Sequence, residues 1–207
     1  NKTFIDNREL KPYEKATLRN NDQIRSGNII FKFFEPGQLE IFSTTLMRDK
    51  AQTDSLTGLA NRRALNMRGP EFFRKSKSLC LILFDVDKFK DINDTSGHLV
   101  GDYVLKQLSS LVMTLVREGD MLFRYGGDEF CLFTRTPFDI AKNISERICH
   151  TVEKHQFIYE GQTLPVTISV GVATRTPKDK KWEDVYKRAD EASYEAKQAG
   201  RNQARFK

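Results

Sequence analysis

The chain has 207 residues, 39% hydrophobic and 30% charged, with a formal net charge of +6 and a pI near 9.2. That is a globular balance, with room for one good-sized domain and something smaller at roughly 100–200 residues per domain. The longest apolar run, Leu79 to Phe84, is far shorter than the ~20 residues that span a bilayer, so no membrane segment is expected.

The basic balance favours polyanionic partners such as nucleotides, nucleic acid or an anionic membrane face, or else serves solubility alone. No signal-peptide pattern opens the chain. The cysteines, Cys80, Cys131 and Cys149, are odd in number and have no CxxC spacing. Two lie in apolar, strand-like runs and read as small core residues. These features together predict a cytoplasmic protein. The first residues fall inside a strand-like stretch, so upstream sequence is expected.

In chain order, residues 1–35 form short runs broken by turn signals. Thr3-Phe4-Ile5 precedes Asp6-Asn7, a pair that tolerates the positive φ of a tight hairpin. Asn20-Asn21-Asp22 is a second turn, and Ile29 to Phe34 is β-branched and aromatic. A β-rich module follows, but ~35 residues cannot build a stable core alone. Residues 36–53 open with Pro36-Gly37 and then place Leu39, Phe42 and Leu46 on one helical stripe. That stripe suits a plain connector or a signalling helix that pairs with a second copy.

Residues 54–207 alternate helix and strand patterns. The expected elements are a helix over 61–75 interrupted at Gly69-Pro70, a buried strand over 79–86, and an amphipathic helix carrying Val100, Val104, Leu108, Leu111, Val112 and Leu115. Two strands follow, Met121–Tyr125 and Phe130–Thr134. Then come a helix over 137–155, a strand over 164–174, a helix over 182–198 and a short strand over 204–207. The order α-β-α-β-β-α-β-α-β predicts an α+β fold, a mixed sheet with helices packed on it.

Three clusters carry chemistry. Phe84-Asp85-Val86-Asp87 ends a strand in two carboxylates, which suits a hard cation with phosphate oxygens, or a helix cap. Gly126-Gly127-Asp128-Glu129 lies between two strands. Its glycines allow a tight turn and close approach of a ligand, and its adjacent acids call for a cation. The bland alternative is a solvated hairpin tip. Lys197 and Arg201 straddle a helix end with Gly200 as a plausible C-cap, where cations either complement the helix dipole or grip a polyphosphate. Converging, the three would make a nucleotidyl-transfer site. No GxxxxGK[ST] or HExxH is present, and three histidines do not form a triad pattern.

Six ordered motifs resemble the GGDEF family of diguanylate cyclases over about the last 150 residues. They are Asp54-Ser55-Leu56-Thr57-Gly58-Leu59 with Asn61-Arg62-Arg63, Phe84 to Asp94, Gly97 to Asp102, Arg124 to Phe130, Ser169 to Ala173, and Ala196 to Asn202. The resemblance implies a five-stranded sheet surrounded by helices, similar to the palm of polymerases and adenylyl cyclases, over residues 54–207. It implies condensation of two GTP into cyclic di-GMP, with Mg²⁺ (or Mn²⁺) held by Asp85, Asp128 and the Val86 carbonyl. Glu129 matches the acid that helps deprotonate the 3′-hydroxyl. Asn93 and Asp102 match the guanine-reading pair, Lys90, Lys197 and Arg201 the phosphate contacts, and Gly126 and Gly127 give the nucleotide backbone room. Each domain would bind one GTP, so catalysis calls for a homodimer. Arg117 and Asp120 match the family's RxxD product-inhibition site for cyclic di-GMP, with Arg147 as a second arginine; an ordinary helix-end salt bridge is the alternative.

Residues 1–35 resemble the C-terminal third of a forkhead-associated domain, through Asn1 to Asn7 and Leu18 to Gly27. Lys2 and Asn7 replace the usual glycines. A complete domain of that family would bind a phosphothreonine peptide; this fragment lacks the upstream phosphate ligands. Asn1 matches a peptide-contacting position. A catalytically silent receptor for cyclic di-GMP or GTP is the rival reading, and loss of Asp128 or Glu129 would have favoured it. Nucleic-acid binding ranks last, for want of aromatic–basic interleaving.

Overall fold

A computed structural model describes residues 2–27, 29–38 and 51–207. Asn1 and the Leu39–Phe42–Leu46 stripe lie outside the described residues. The chain divides into two compact units, Asn1–Ala51 and Gln52–Lys207.

The first unit is an antiparallel sheet of four strands, β1 (Thr3–Ile5), β2 (Arg8–Leu10), β3 (Gln23–Ser26) and β4 (Ile29–Lys32), in the order β2-β1-β3-β4. Both expected turns form. Asp6 adopts φ 52° and its carboxylate accepts from the Gln23 N–H at 3.0 Å, while Asn21 adopts φ 78°. None of the described residues of this unit is buried. So short a segment can bury little apolar surface by itself.

The second unit comprises β5 (Ala60–Asn61), α1 (Arg62–Lys75), β6 (Cys80–Val86), α2 (Phe89–Ser96), α3 (His98–Met113), β7 (Met121–Gly126), β8 (Glu129–Thr134), α4 (Phe138–Lys154), β9 (Phe157–Tyr159), β10 (Gln162–Leu164), β11 (Ile168–Thr174), α5 (Trp182–Gln198) and β12 (Gln203–Phe206). Its sheet runs β12-β11-β6-β8-β7-β5. The pairs β11–β12 and β5–β7 are parallel and the rest antiparallel, so the sheet is mixed.

The central strand β6 is buried along its whole length. Its alternation distributes residues to two cores. Ile82, Phe84 and Val86 join Leu105 and Leu108 of α3 and Ile144 and Ile148 of α4. Leu81 and Leu83 join Leu65 and Phe72 of α1 and Trp182 and Val185 of α5. Each such side chain contributes about 1.5–3 kcal/mol on burial. Helices on both faces therefore clamp the strand and fix the height at which its last residues emerge.

Five expectations change. Helix α1 runs unbroken through Pro70. The lost donor is offset by burial of Phe72 and Phe73 and by Arg175, which donates to the Phe73 and Ser76 carbonyls. Helix α2 and the β9–β10 hairpin were not anticipated. The strand expected from Leu164 begins at Ile168, because Leu164 pairs with Phe157 in that hairpin and Pro165 follows. The sheet also gains the two-residue strand β5 at its edge. Among the described residues no helix is long and apolar enough to cross a membrane.

Candidate active site

Strand β6 delivers Asp85 to its exit, only 7% exposed. In the register Asp85 lies opposite Glu129 on β8 and Ser169 on β11. The two-residue turn Gly127-Asp128 joins β7 to β8, with Gly127 at φ 53°, a conformation that favours glycine. An added Cβ at Gly126 or Gly127 would meet nothing within 4 Å, so this backbone is open to an approaching ligand.

The turn is locked from behind. Arg124 donates through Nε and Nη2 to the Gly127 carbonyl at 2.9 and 2.7 Å, and through Nη1 to Asp54 Oδ1 at 2.9 Å. That same Asp54 oxygen accepts from the Thr57 N–H and hydroxyl at 2.9 and 2.7 Å. Burial alone would raise the Asp54 carboxyl, but hydrogen bonds from Thr57 and Arg124 outweigh it and hold it below the usual carboxylate range. Sequence reading quoted Asp54 and Arg124 without a role, since nothing in their spacing pairs residues 70 apart.

Lys197, in the last turn of α5, forms an ion pair with Asp85 Oδ2. The other oxygen, Oδ1, is buried and has no hydrogen-bond partner among the described residues. Burial pushes the Asp85 carboxyl up to about 6; Lys197 opposes the rise, and Asp128 and Asp87 add to it. Burial also raises Asp128. Glu129 is raised by burial and then by the Asp128 charge beside it. For Lys197 burial works downward, but the bond to Asp85 outweighs it and its ammonium is held above the usual value. An orphaned carboxylate oxygen between like charges is costly in isolation. A hard divalent cation would satisfy it, so the residues fit a Mg²⁺-type ion. Among the described residues no three His, Cys, Asp or Glu side chains form a complete metal cage. Two carboxylates plus phosphate oxygens is the usual Mg²⁺ arrangement.

Asp85, Val86, Asp128, Lys90, Lys197 and Arg201 line one cleft of about 250 Å³. Glu129 lines a second, of about 280 Å³, which shares Asp85 and Lys197 with the first. Asn93 and Asp102 do not line the phosphate-sized cleft; they sit on the neighbouring α2–α3 pair. A Cβ at Gly101 would lie 2.0 Å from Asn93 Oδ1, so the Asn93 side chain rests on the α3 backbone one residue before exposed Asp102. Asp87, the second carboxylate of its strand end, has a different task. It accepts from Thr167 Oγ1 at 2.7 Å, Ser169 Oγ at 2.6 Å and the Asn202 N–H at 3.0 Å, tying β6 to β11 and to the loop after α5. It caps no helix; the residue before α2 is Lys88, at φ 53°.

Arg117 and Asp120 occupy the turn after α3, where the Asp120 N–H donates to the Arg117 carbonyl at 3.2 Å. Arg147 of α4 reaches the same segment, its Nη2 lying 3.4 Å from the Leu115 carbonyl. Among the described residues neither Arg117 nor Asp120 enters an ion pair, so the helix-end salt bridge is not formed.

A family profile described as "Diguanylate cyclase, GGDEF domain" matches residues 51–203. The chain is 34% identical over 185 residues to diguanylate cyclase DgcZ of Escherichia coli K12, covering 85% of this chain and 62% of that protein. It is 39% identical over 129 residues to diguanylate cyclase A of Treponema denticola, covering 62% of this chain and 35% of that one. It thus spans less than two thirds of either relative. Among solved structures it resembles the coiled coil and GGDEF domain of DgcB from Caulobacter crescentus, a complex with c-di-GMP, with a TM-score of 0.76 and 30% identity. That match covers 82% of this chain and 93% of the DgcB chain.

Proposed function

The chain belongs to the GGDEF family, and on that premise we propose that it is a diguanylate cyclase, joining two GTP molecules into cyclic di-GMP with release of pyrophosphate. The observation that carries this reading is Asp85, which lines a cation-lined cleft across the strand pair from Glu129 and whose buried Oδ1 has no hydrogen-bond partner among the described residues.

In this mechanism the triphosphate enters the cleft and is gripped by Lys90, Lys197 and Arg201. Asn93 and Asp102 read the guanine edge; a carboxylate accepts from guanine N1–H and N2–H₂, donors that adenine does not offer there. The open backbone at Gly126 and Gly127 leaves room for the nucleotide. Glu129, with its raised carboxyl, accepts the proton of the attacking 3′-hydroxyl. A new bond forms from the 3′-oxygen to the α-phosphorus, and the bond to pyrophosphate breaks; a second transfer closes the ring. A divalent ion, Mg²⁺ or Mn²⁺, held by Asp85, Asp128 and the Val86 carbonyl would supply positive charge at the attacking and leaving oxygens.

One unit offers one nucleotide site, so two copies must face each other, and residues 36–53 would hold them in juxtaposition. Arg117, Asp120 and Arg147 form the product site at which cyclic di-GMP would inhibit. That neither the Arg117 nor the Asp120 side chain enters an ion pair among the described residues supports that role. Residues 1–35, supported by the antiparallel sheet and its two turns, would be part of a forkhead-associated module that recognises a phosphothreonine peptide and regulates the cyclase. The two-copy reaction has a direct test. Consumption of GTP but not ATP, with specific activity rising with protein concentration, is expected. GTP binding without turnover at every concentration would instead assign the chain as a nucleotide receptor.

A further inference from the structure

Three consecutive residues after α5 have positive φ: Gly200 at 110°, Arg201 at 64° and Asn202 at 45°. The first is ordinary helix termination. The Arg201 N–H donates to the Ala196 carbonyl at 3.0 Å, and glycine suits the left-handed position just past a helix end. The next two are not needed for that cap. A non-glycine side chain is disfavoured in this conformation, although asparagine tolerates it best. Such strain persists only where surrounding contacts over-determine it, and it gathers at ligand clamps.

The surrounding contacts are extensive and converge on Asn202. Its N–H donates to Asp87 Oδ2 at 3.0 Å and its Nδ2 to Glu153 Oε1 at 2.8 Å. Its Oδ1 accepts from Cys149 Sγ at 3.5 Å. The Gln203 amide adds donations to the carbonyls of Ala196, Ala199 and Arg201 at 3.2, 2.8 and 3.0 Å. Thus Asp87 at the end of β6 and Glu153 and Cys149 of α4 grip the residue that follows Arg201, while Gln203 ties the same turn to the end of α5. Arg201 itself lines the cleft with Asp85, Asp128 and Lys197. It also borders a larger cavity of about 550 Å³ toward Ile92 and Pro165. A long side chain between two spaces needs its backbone fixed if it is to serve one of them.

We propose that Asn202, anchored by Glu153 of α4, is a positioning residue that holds the left-handed pair and aims Arg201 at the triphosphate. This rests on the reading of the cleft as a phosphate site. Glu153 does not line the cleft and bonds to Asn202, the residue after Arg201, so it is the place to intervene. The neighbour of its other oxygen is His150, whose Nδ1 lies 3.7 Å away.

The experiment compares GTP and guanosine affinity, together with KM and kcat for GTP, across four full-length variants. Glu153→Ala is expected to weaken GTP binding about 5- to 10-fold and raise KM accordingly, with kcat changed less than 2-fold and guanosine affinity unchanged. Glu153→Gln keeps the accepting oxygen and is expected to restore the wild-type values. Asn202→Gly, which keeps the conformational freedom but not the anchor, is expected to resemble Glu153→Ala. Arg201→Ala should show the same phosphate-selective loss. If Arg201→Ala weakens GTP while Glu153→Ala matches wild type, the positioning role is overturned and the phosphate cleft stands. If Arg201→Ala has no effect on GTP, the phosphate reading itself fails and this inference with it. Equal loss of GTP and guanosine in Glu153→Ala would reduce Glu153 to a general structural contact and also overturn the proposal.

Discussion

The two oxygens of Asp85 have opposite surroundings: one is paired with Lys197, and the other is buried with no hydrogen-bond partner among the described residues. Two residues on, both oxygens of Asp87 accept hydrogen bonds, from Thr167, Ser169 and the α5 exit. Adjacent carboxylates of one strand end thus separate into a ligand-ready group and a structural tie, a distinction that composition and spacing do not encode. Replacing Asp85 by Asn is expected to abolish turnover, by at least about 100-fold if charge at the reacting oxygens is lost. It should barely alter the melting temperature, because the Lys197 side chain is 40% exposed and regains water. Activity assays alongside thermal unfolding check this; a large fall in stability would make Asp85 chiefly structural. Asp87→Asn should behave in the reverse order, losing stability first.

Elements fix these residues in space, and two of them make measurable demands. Helix α1 passes so close to α5 that a Cβ at Gly69 would lie 2.9 Å from the Trp182 ring. Gly69→Ala should therefore destabilise the unit, by about 1–3 kcal/mol as over-packing against a rigid indole typically does, read by denaturant unfolding. The sequence shows Gly69-Pro70 as a helix break because both residues are poor helix formers. Tertiary packing of Phe72, Phe73 and the indole overrides that preference. The same limit explains α2, whose eight residues include no fully buried side chain and so leave little hydrophobic signature. Strand β6, in contrast, is legible as a run of apolar residues, because a strand buried on both faces needs nothing else. The β7–β8 turn depends on Asp54 and Arg124. The Asp54 carboxyl is held low, so its stabilising contribution is complete above the unfolded value of about 3.9 and disappears as pH falls through the lower folded value. Asp54→Asn should remove that acid-side segment of the stability curve and leave the alkaline side unchanged in shape. Unfolding monitored between neutral and strongly acidic pH measures it.

For the whole molecule, the motifs of residues 54–207 were legible because each occupies a short local stretch at the end of a strand or helix. The contacts that join them were not. Asp54 to Arg124, Asp87 to Asn202 and Glu153 to Asn202 are created by the sheet order, and no local pattern announces them. The proposed product site follows the same pattern: Arg117 and Asp120 are sequence neighbours, whereas Arg147 reaches the segment from α4 through the Leu115 carbonyl. Arg117→Ala is expected to relieve inhibition by added cyclic di-GMP at least 10-fold while leaving the initial rate within 2-fold, the loss of a bidentate contact being worth ~1–3 kcal/mol. An inhibition curve unchanged by this substitution would remove the turn from the product-binding reading.

The central claim is that Asp85, Asp128 and Glu129 perform GTP condensation where two adjoining clefts share Asp85 and Lys197. Its most direct measurement is mass-resolved product analysis of the purified chain incubated with GTP and Mg²⁺, with Glu129→Ala run beside it. The account predicts cyclic di-GMP and pyrophosphate from the unaltered chain and a product yield reduced by about 100-fold or more in the variant, within the usual range for loss of a general base. Equal product from both would contradict the role of Glu129, and no product from the unaltered chain at high protein concentration would contradict the cyclase itself.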